Sequence, residues 1–168
     1  WTRCGGVMTG RIPEDIMIRQ ILRGGLPLPL LLAAAACANV PLANSQQDAE
    51  AKRFERPARD NGALYVYRAG YMGLARPIDV SIAGGVSAAL ASNTYLRLEG
   101  PPGPVDLSCR IGDNQGGQQI TMEPGQTRYV EVSMKVGLTL PGCDVVEVSP
   151  DQGQSAIRNA RRVNSGGQ

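Results

Sequence analysis

The 168-residue sequence contains no histidine, and this absence removes several kinds of catalytic site at once. A Ser-His-Asp triad, a Cys-His nucleophile pair and the usual zinc sites all depend on an imidazole group. No Cys-x-x-C pair occurs either. We therefore expect a protein that is not an enzyme and that has no catalytic residue, cofactor or bound metal.

An excess of one charge and a long apolar run are also missing. Four of the 17 basic residues and two of the 15 acidic residues precede Cys37, so residues 37–168 carry no net charge. Because a basic patch is the usual mark of nucleic-acid binding, we expect no nucleic-acid partner. After Cys37 no apolar stretch approaches the roughly 20 residues that a membrane-spanning helix needs.

Aromatic side chains are scarce, at 4% of the residues. Tyr67, Tyr71 and Tyr95 are candidates for a face that binds a sugar or a peptide. The alternative, which we favour, is that these tyrosines cover sheet edges and pack beneath loops. Both interpretations stay open at the level of the sequence.

The sequence does contain Leu-Leu-Ala-Ala-Ala-Ala-Cys at residues 31–37, with Arg19 and Arg23 upstream. Basic residues, a short apolar stretch and small residues are the parts of a secretory signal peptide. The apolar residues 26–36 are too few to span a bilayer. Because a cysteine follows the small residues, the motif resembles the lipobox of bacterial lipoproteins.

We therefore expect residues 1–36 to be an upstream segment with a lipoprotein signal peptide, and Cys37 to carry lipid, palmitate included. The motif departs from the usual one, since Ala34 stands where a leucine is common. Ala38, rather than an aspartate, follows the cysteine, which by the bacterial sorting rule implies the outer membrane, facing the periplasm. The alternatives are an ordinary signal peptide cleaved after Ala-x-Ala and a buried helix.

Beyond the cysteine we expect three parts. Residues 37–61 are polar, without a sustained apolar period, and predict a flexible tether. Residues 62–163 predict one β-domain, and residues 164–168 a disordered tail. A short C-terminal helix is predicted at residues 155–163, which have a weakly apolar face.

Alternation of apolar and polar residues places the strands of this domain. Ile78-Asp79-Val80-Ser81-Ile82 changes character at every step, and residues 105–111 do the same. Gly84-Gly85 predicts a hairpin turn, and Gly-Pro-Pro-Gly-Pro at residues 100–104 predicts a rigid turn. Seven to eight short strands separated by turns indicate an all-β fold, an antiparallel β-sandwich. The other strands are predicted at residues 63–68, 86–90, 94–98, 118–122, 127–136 and 143–148, with Leu138-Thr139-Leu140 between turns.

Two cysteines remain in the domain once Cys37 is acylated. Cys109 shares the inward face of its strand with Leu107 and Ile111, and Cys143 begins a later strand. An even pair in an exported domain favours a disulfide. The alternative is two buried free thiols that pack as small apolar side chains.

The strand and turn motifs also resemble a known family. Ala-Leu-Tyr-Val-Tyr-Arg at residues 63–68, Ile78–Ile82, Pro101-Pro102-Gly103 and Glu-Pro-Gly-Gln-Thr-Arg-Tyr-Val at residues 123–130 are similar to a proteobacterial lipoprotein family catalogued as domain of unknown function 2846. The resemblance covers residues 62–161. It implies a lipid-anchored β-sandwich, with no enzyme activity and no established ligand.

Together these features predict a cell-envelope protein that is attached to the membrane through lipid on Cys37. Its β-sandwich would bind or scaffold an envelope protein or glycan without catalysis. The alternative is an accessory glycan hydrolase that uses acidic residues, which requires two carboxylates within reach of each other in a cleft. Asp106, Asp113 and Asp144 are also candidates for calcium ligands, although acids in turns are usually only solvated.

Overall fold

The computed structural model describes residues 40–70, 76–135 and 141–167. Within these ranges the predicted all-β fold of seven to eight short strands is confirmed, with eight strands of five or more residues. The strands are β1 (Gly62–Arg68), β2 (Ile78–Ile82), β3 (Val86–Leu90), β4 (Thr94–Gly100), β5 (Gly103–Ile111), β6 (Asn114–Met122), β7 (Thr127–Lys135), β8 (Gly142–Val148) and the two-residue β9 (Arg161–Arg162) and β10 (Gly166–Gly167); the helices are α1 (Ser45–Ala51) and α2 (Pro150–Arg158).

The strands form two five-stranded sheets that pack as a sandwich. The first sheet has the order β8-β7-β1-β4-β9, and the second has the order β10-β3-β2-β5-β6. All pairs in the second sheet are antiparallel, as predicted. In the first sheet β1 pairs with β7 and β4 pairs with β9 in parallel, so this sheet is mixed. Alternation within a strand shows which face is buried but carries no information about these neighbours.

Strand β1 lies at the centre of the first sheet and is buried on both of its faces. One face presents Leu64 and Val66 to the apolar core between the two sheets. The other face presents Tyr65 and Tyr67 to a second cluster outside the sheet. Successive side chains of a strand point to opposite faces, so β1 connects both cores.

Helices α1 and α2 add a third layer over the outer face of the first sheet. Ala51 and Ile157 from these helices are buried against the tyrosines of that face. The prediction of a flexible tether over residues 37–61 is therefore wrong for its described part, which starts at Val40. Asn44 begins α1 with a capping box shared with Gln47, which satisfies the free amides of the first turn.

The segment before α1 is also fixed, because it lies along the C-terminal strand region. The amide of Ala43 donates to the carbonyl of Arg162 at 2.9 Å, and the amide of Asn164 donates to the carbonyl of Pro41 at 2.9 Å. Val40 is 7% exposed and belongs to the main core. Val40 and Leu42 are isolated apolar residues and show no periodic pattern. Hydrogen bonds between main-chain groups nevertheless fix this segment against residues 162–164.

The predicted disordered tail and the predicted helix both differ from the structure. Gly166–Gly167 pairs with Ser87 and Val86 of β3, so these two residues of the predicted tail form a strand. The helix spans Pro150–Arg158 rather than residues 155–163. Ser149 caps it by accepting from the amide of Gln152, and Pro150 starts the first turn, where its missing amide is harmless.

Several predictions fall on residues that lie outside the described ranges: the signal peptide at residues 1–36, the acylation of Cys37, the side chain of Tyr71 and the segment 138–140. They stay predictions. Among the described residues, no helix has the length and apolar character needed to cross a bilayer.

Candidate functional site

The tyrosines form a buried layer beneath the helices rather than a binding face. Tyr67 is 1% exposed and Tyr95 is 0% exposed, so the predicted sugar- or peptide-binding role of these two residues is wrong. The Tyr65 ring stacks on Tyr129 at 5.3 Å and on Tyr95 at 6.0 Å between ring centroids. The favoured alternative, packing beneath other elements, is correct for Tyr67 and Tyr95, with the helices as the cover.

Each tyrosine hydroxyl of this layer has a hydrogen-bond partner. Tyr65 donates to the carbonyl of Ala51 at 2.6 Å, and Tyr67 donates to Glu131 at 3.2 Å. The hydroxyl of Tyr129 accepts from Gln154 at 3.2 Å. Burial raises the pKa of all four tyrosines, including Tyr95, so they remain neutral hydrogen-bonding groups. The layer packs the helices against the first sheet.

Asp48 of α1 joins three elements of this layer. Its Oδ1 accepts from the Tyr95 hydroxyl at 2.9 Å and from the Arg162 amide at 2.9 Å, and its Oδ2 pairs with Lys52 at 2.8 Å. Burial alone would raise the pKa of Asp48, but these hydrogen bonds hold it below its ordinary value. The carboxylate therefore stays ionised and connects α1 to β4 and β9.

A polar cavity of about 290 Å³ lies beside Tyr65. Arg97 donates from Nε to the Tyr65 hydroxyl at 3.1 Å and from Nη2 to Glu99 at 2.8 Å. Hydrogen bonds from the Ala58 amide and Arg97 lower the pKa of Glu99. The other two arginines of the cavity also have partners within the protein, since Arg53 lies 3.7 Å from Glu55 and Arg162 donates to the carbonyl of Gln47 at 3.2 Å. Its lining includes Glu50, Ala51, Arg53, Glu55, Tyr65, Arg97 and Arg162.

Two of the three candidate calcium ligands have ordinary surface partners, and the third, Asp113, is exposed. Asp106 accepts from Gln119 at 2.9 Å, and Asp144 pairs with Lys135 at 2.9 Å. Across residues 40–70, 76–135 and 141–167, no three acids, cysteines or histidines are grouped so that they could hold a metal ion. The predicted calcium alternative gains no support from this arrangement.

Cys109 and Cys143 form the predicted disulfide, with 6.2 Å between their Cα atoms. The bond joins β5 of the second sheet to β8 of the first. Strand β6 passes beside it at Gly116, where a Cβ atom would lie 2.5 Å from the carbonyl oxygen of Cys143. Only glycine permits this close approach of two backbones. The disulfide is structural, since both sulfurs are buried in the core.

An apolar opening lies at one end of the sandwich, where β1 begins. We call this opening the distal mouth. It is a cleft of about 450 Å³ between the two sheets. The turn at residues 100–104, predicted to be rigid, forms one rim, and the β2–β3 turn with Gly84 forms the other. Its floor consists of Leu64, Ile82, Val86, Leu98, Val105 and Met122.

The distal mouth is almost uncharged. Glu99 is the single ionisable residue of its lining, and its carboxylate is already bound by Arg97 and the Ala58 amide. Val86, Leu98 and Val105 are half-buried although they pack against the core. Apolar side chains that remain partly open at a concave surface are characteristic of binding sites. The lining therefore suits an apolar group and offers little to a polar sugar.

The distal mouth is not predictable from the sequence. Its rim was predicted as a turn, and Leu98 and Val105 were placed on apolar strand faces, but the space between them depends on the separation of the sheets. The run of prolines and glycines at residues 100–104 was the available signal, because it keeps charged side chains away from the opening.

Comparisons with known proteins add one distant relative. No family model matches the chain, and no solved structure matches it. A curated protein of Haemophilus influenzae strain Rd, described as uncharacterized, is 25% identical over 146 residues, which cover 87% of each chain. This similarity assigns neither a family nor a function. The resemblance to the lipoprotein family stays a prediction.

Proposed function

We propose that the protein is a lipid-anchored protein of the bacterial cell envelope whose β-sandwich binds an envelope protein without catalysis. The observation that carries the binding role is the distal mouth, a preformed apolar cleft with no free charge. The motif at residues 31–37 supports the anchor. The occupant of the mouth is a segment of an envelope protein that inserts apolar side chains.

A protein partner fits the mouth better than a glycan does. Sugars are usually held by hydrogen-bonding side chains and exposed aromatic rings, whereas the floor here is aliphatic and Tyr67 and Tyr95 are buried. The volume of the distal mouth lies in the range of about 300–1,000 Å³ that is typical of ligand sites. Buried apolar anchors also account for most of the affinity in protein interfaces.

The alternative, an accessory glycan hydrolase, has less support. A glycosidase needs a carboxylic acid with a raised pKa opposite a second carboxylate. The carboxyl groups of Asp48 and Glu99 have lowered pKa values, which is the wrong direction for a general acid. In the polar cavity, the Glu55 carboxylate lies 3.7 Å from Arg53, and Glu50 accepts from Gln46.

The anchor is tested by the Cys37→Ser variant. The parent should incorporate labelled palmitate and sediment with membranes, whereas the variant should do neither, because serine offers no thiol for the lipid. Fractionation of cells and autoradiography measure both properties. A parent that takes up no palmitate, with a variant that still sediments, would contradict the proposed anchor.

The binding role is tested by photo-crosslinking in cells. A benzoylphenylalanine in place of Pro102, on the exposed rim, should give one discrete protein adduct. The same group at Gln115, exposed on β6, is the matched control and should give none. Leu98→Glu should abolish the Pro102 adduct because a charge in the apolar floor opposes insertion, while Leu98→Met should preserve it.

Two results would contradict the proposed binding role. The first is an equal adduct from Pro102 and Gln115. The second is an adduct that survives in Leu98→Glu when thermal unfolding shows that this variant is folded.

A further inference from the structure

The chain enters the folded body at the end opposite to the distal mouth. Residues 40–44 lie along residues 161–164, and the amide of Arg161 donates to the carbonyl of Asn93 at 2.9 Å. Asn93 precedes Thr94, which pairs with Arg68 at the far end of β1. We call this surface the proximal end. It includes Val40, Leu42, Ser92, Asn93, Asn159 and Arg161, which line a cleft of about 310 Å³.

Only three peptide units separate Cys37 from Val40. A fully extended chain covers about 3.6 Å per residue, so the two Cα atoms lie at most about 11 Å apart. A headgroup layer is roughly 5–8 Å thick, taking half the difference between the full bilayer and its hydrocarbon core. Since Val40 is buried in the body, lipid on Cys37 would hold the proximal end within about one headgroup layer of the membrane.

The charges at this end favour an anionic surface. Arg161 and Arg76 are exposed, and within the described residues neither lies within ion-pair distance of a carboxylate. Asn159 is exposed and Asn93 half-buried beside Arg161, and both carry amide donors. Two exposed acids, Asp79 of β2 and Asp113 of the β5–β6 turn, also lie at this end in the other sheet, and Asp79 pairs with Arg110 at 3.7 Å. Cations and amides of this kind bind lipid phosphates.

We propose that the proximal end docks on the phospholipid headgroups of the membrane that holds the Cys37 lipid. This inference rests on the proposed acylation of Cys37. The folded domain then lies directly against the membrane surface instead of moving freely on a long tether. The distal mouth faces away from the membrane, since β1, seven residues long, separates the two ends by roughly 20 Å.

The test uses tryptophan fluorescence of the acylated protein after cleavage of the signal peptide, which leaves residues 37–168. Residues 37–168 contain no tryptophan, so a single introduced tryptophan is a clean reporter. Asn159→Trp reports the proximal end, and Gln126→Trp, exposed in the turn beside Gly62, is the matched distal control. Both proteins are reconstituted into vesicles of phosphatidylethanolamine and phosphatidylglycerol that contain a headgroup-nitroxide lipid.

Quenching of Asn159→Trp should exceed that of Gln126→Trp several-fold, and Arg161→Glu should reduce it. Equal quenching of the two reporters in acylated protein overturns the docking, as does quenching at Asn159→Trp that Arg161→Glu leaves unchanged. Intact-mass measurement of each sample determines acylation separately. An unacylated Cys37 would overturn the proposed anchor, and the docking with it, whereas acylation without selective quenching overturns the docking alone.

Discussion

The double variant Cys109→Ala/Cys143→Ala is expected to lose about 3.8 kcal/mol of unfolding free energy, the chain-entropy value for a loop of this length. The two cysteines are separated by 34 positions in the sequence, and the bond restricts all of the chain between them in the unfolded state. A small domain is typically stable by about 5–15 kcal/mol, so the loss is a large fraction of the total.

The structural position of the bond strengthens this expectation. Cys109 and Cys143 lie in different sheets, and both belong to the main core. Removing their sulfurs also leaves space beside Gly116 on the edge strand β6. The double variant is preferable to a single one, because a lone cysteine leaves a free buried thiol that can form unintended bonds.

Denaturant unfolding followed by circular dichroism measures the effect. We compare three samples: the oxidised parent, the double variant, and the parent that has been reduced under denaturing conditions and then refolded with reductant. The reduced parent and the double variant should unfold at similar denaturant concentrations, both well below the oxidised parent. Coincident midpoints for all three would show that the bond contributes nothing to stability.

The strands were the most predictable part of this fold. In β2, Ile78, Val80 and Ile82 are buried and the two residues between them are exposed, as strict alternation indicates. Cys109 is buried on the same face as Leu107 and Ile111, which made the disulfide predictable. Both inferences needed only the two-residue period of a strand and no knowledge of its neighbours.

The third layer was not predictable in this way. Helix α1 buries little apolar surface, and its position depends on contacts between groups far apart in sequence, such as Asp48 with Tyr95 and Tyr65 with the carbonyl of Ala51. The periodicity of apolar residues carries no information about such hydrogen bonds. For the same reason the sequence left open whether Tyr67 belongs to a binding face, whereas the helices cover it together with Tyr65.

The distal mouth shows a different limit of sequence analysis. Its floor residues lie on strands that were predicted, but a cleft is a property of the distance between two sheets and of the turns that border it. The register of β1 against β4, in which Gly62 pairs with Gly100 at the rim, was also absent from the residue pattern.

Gly153→Ala in helix α2 should destabilise the protein, although alanine has a higher helix propensity than glycine. Propensity alone favours alanine in a helix interior by about 1 kcal/mol. A Cβ atom at position 153, however, would lie 2.5 Å from Cβ and 2.6 Å from Cγ of Tyr129. These atoms lie close to the backbone of β7 and cannot move without shifting the strand.

Tyr129 also has no free space in which to retreat. It is 3% exposed, and its ring stacks on Tyr65 at 5.3 Å between centroids. The added methyl must therefore push α2 away from the sheet and loosen the contacts of Ile157, a buried residue one turn later in the helix. Overpacking of this kind typically costs about 1–3 kcal/mol, which exceeds the gain from propensity.

Ser155→Ala is the matched control, because Ser155 is an exposed residue of the same helix. With no packing partner to displace, it should follow propensity and stabilise the protein by up to about 0.5 kcal/mol. The two alanine variants should thus shift the urea midpoint in opposite directions from the parent. If Gly153→Ala were as stable as Ser155→Ala, helix α2 could not lie against Tyr129 as closely as the structure shows, and the tyrosine layer would lack its cover.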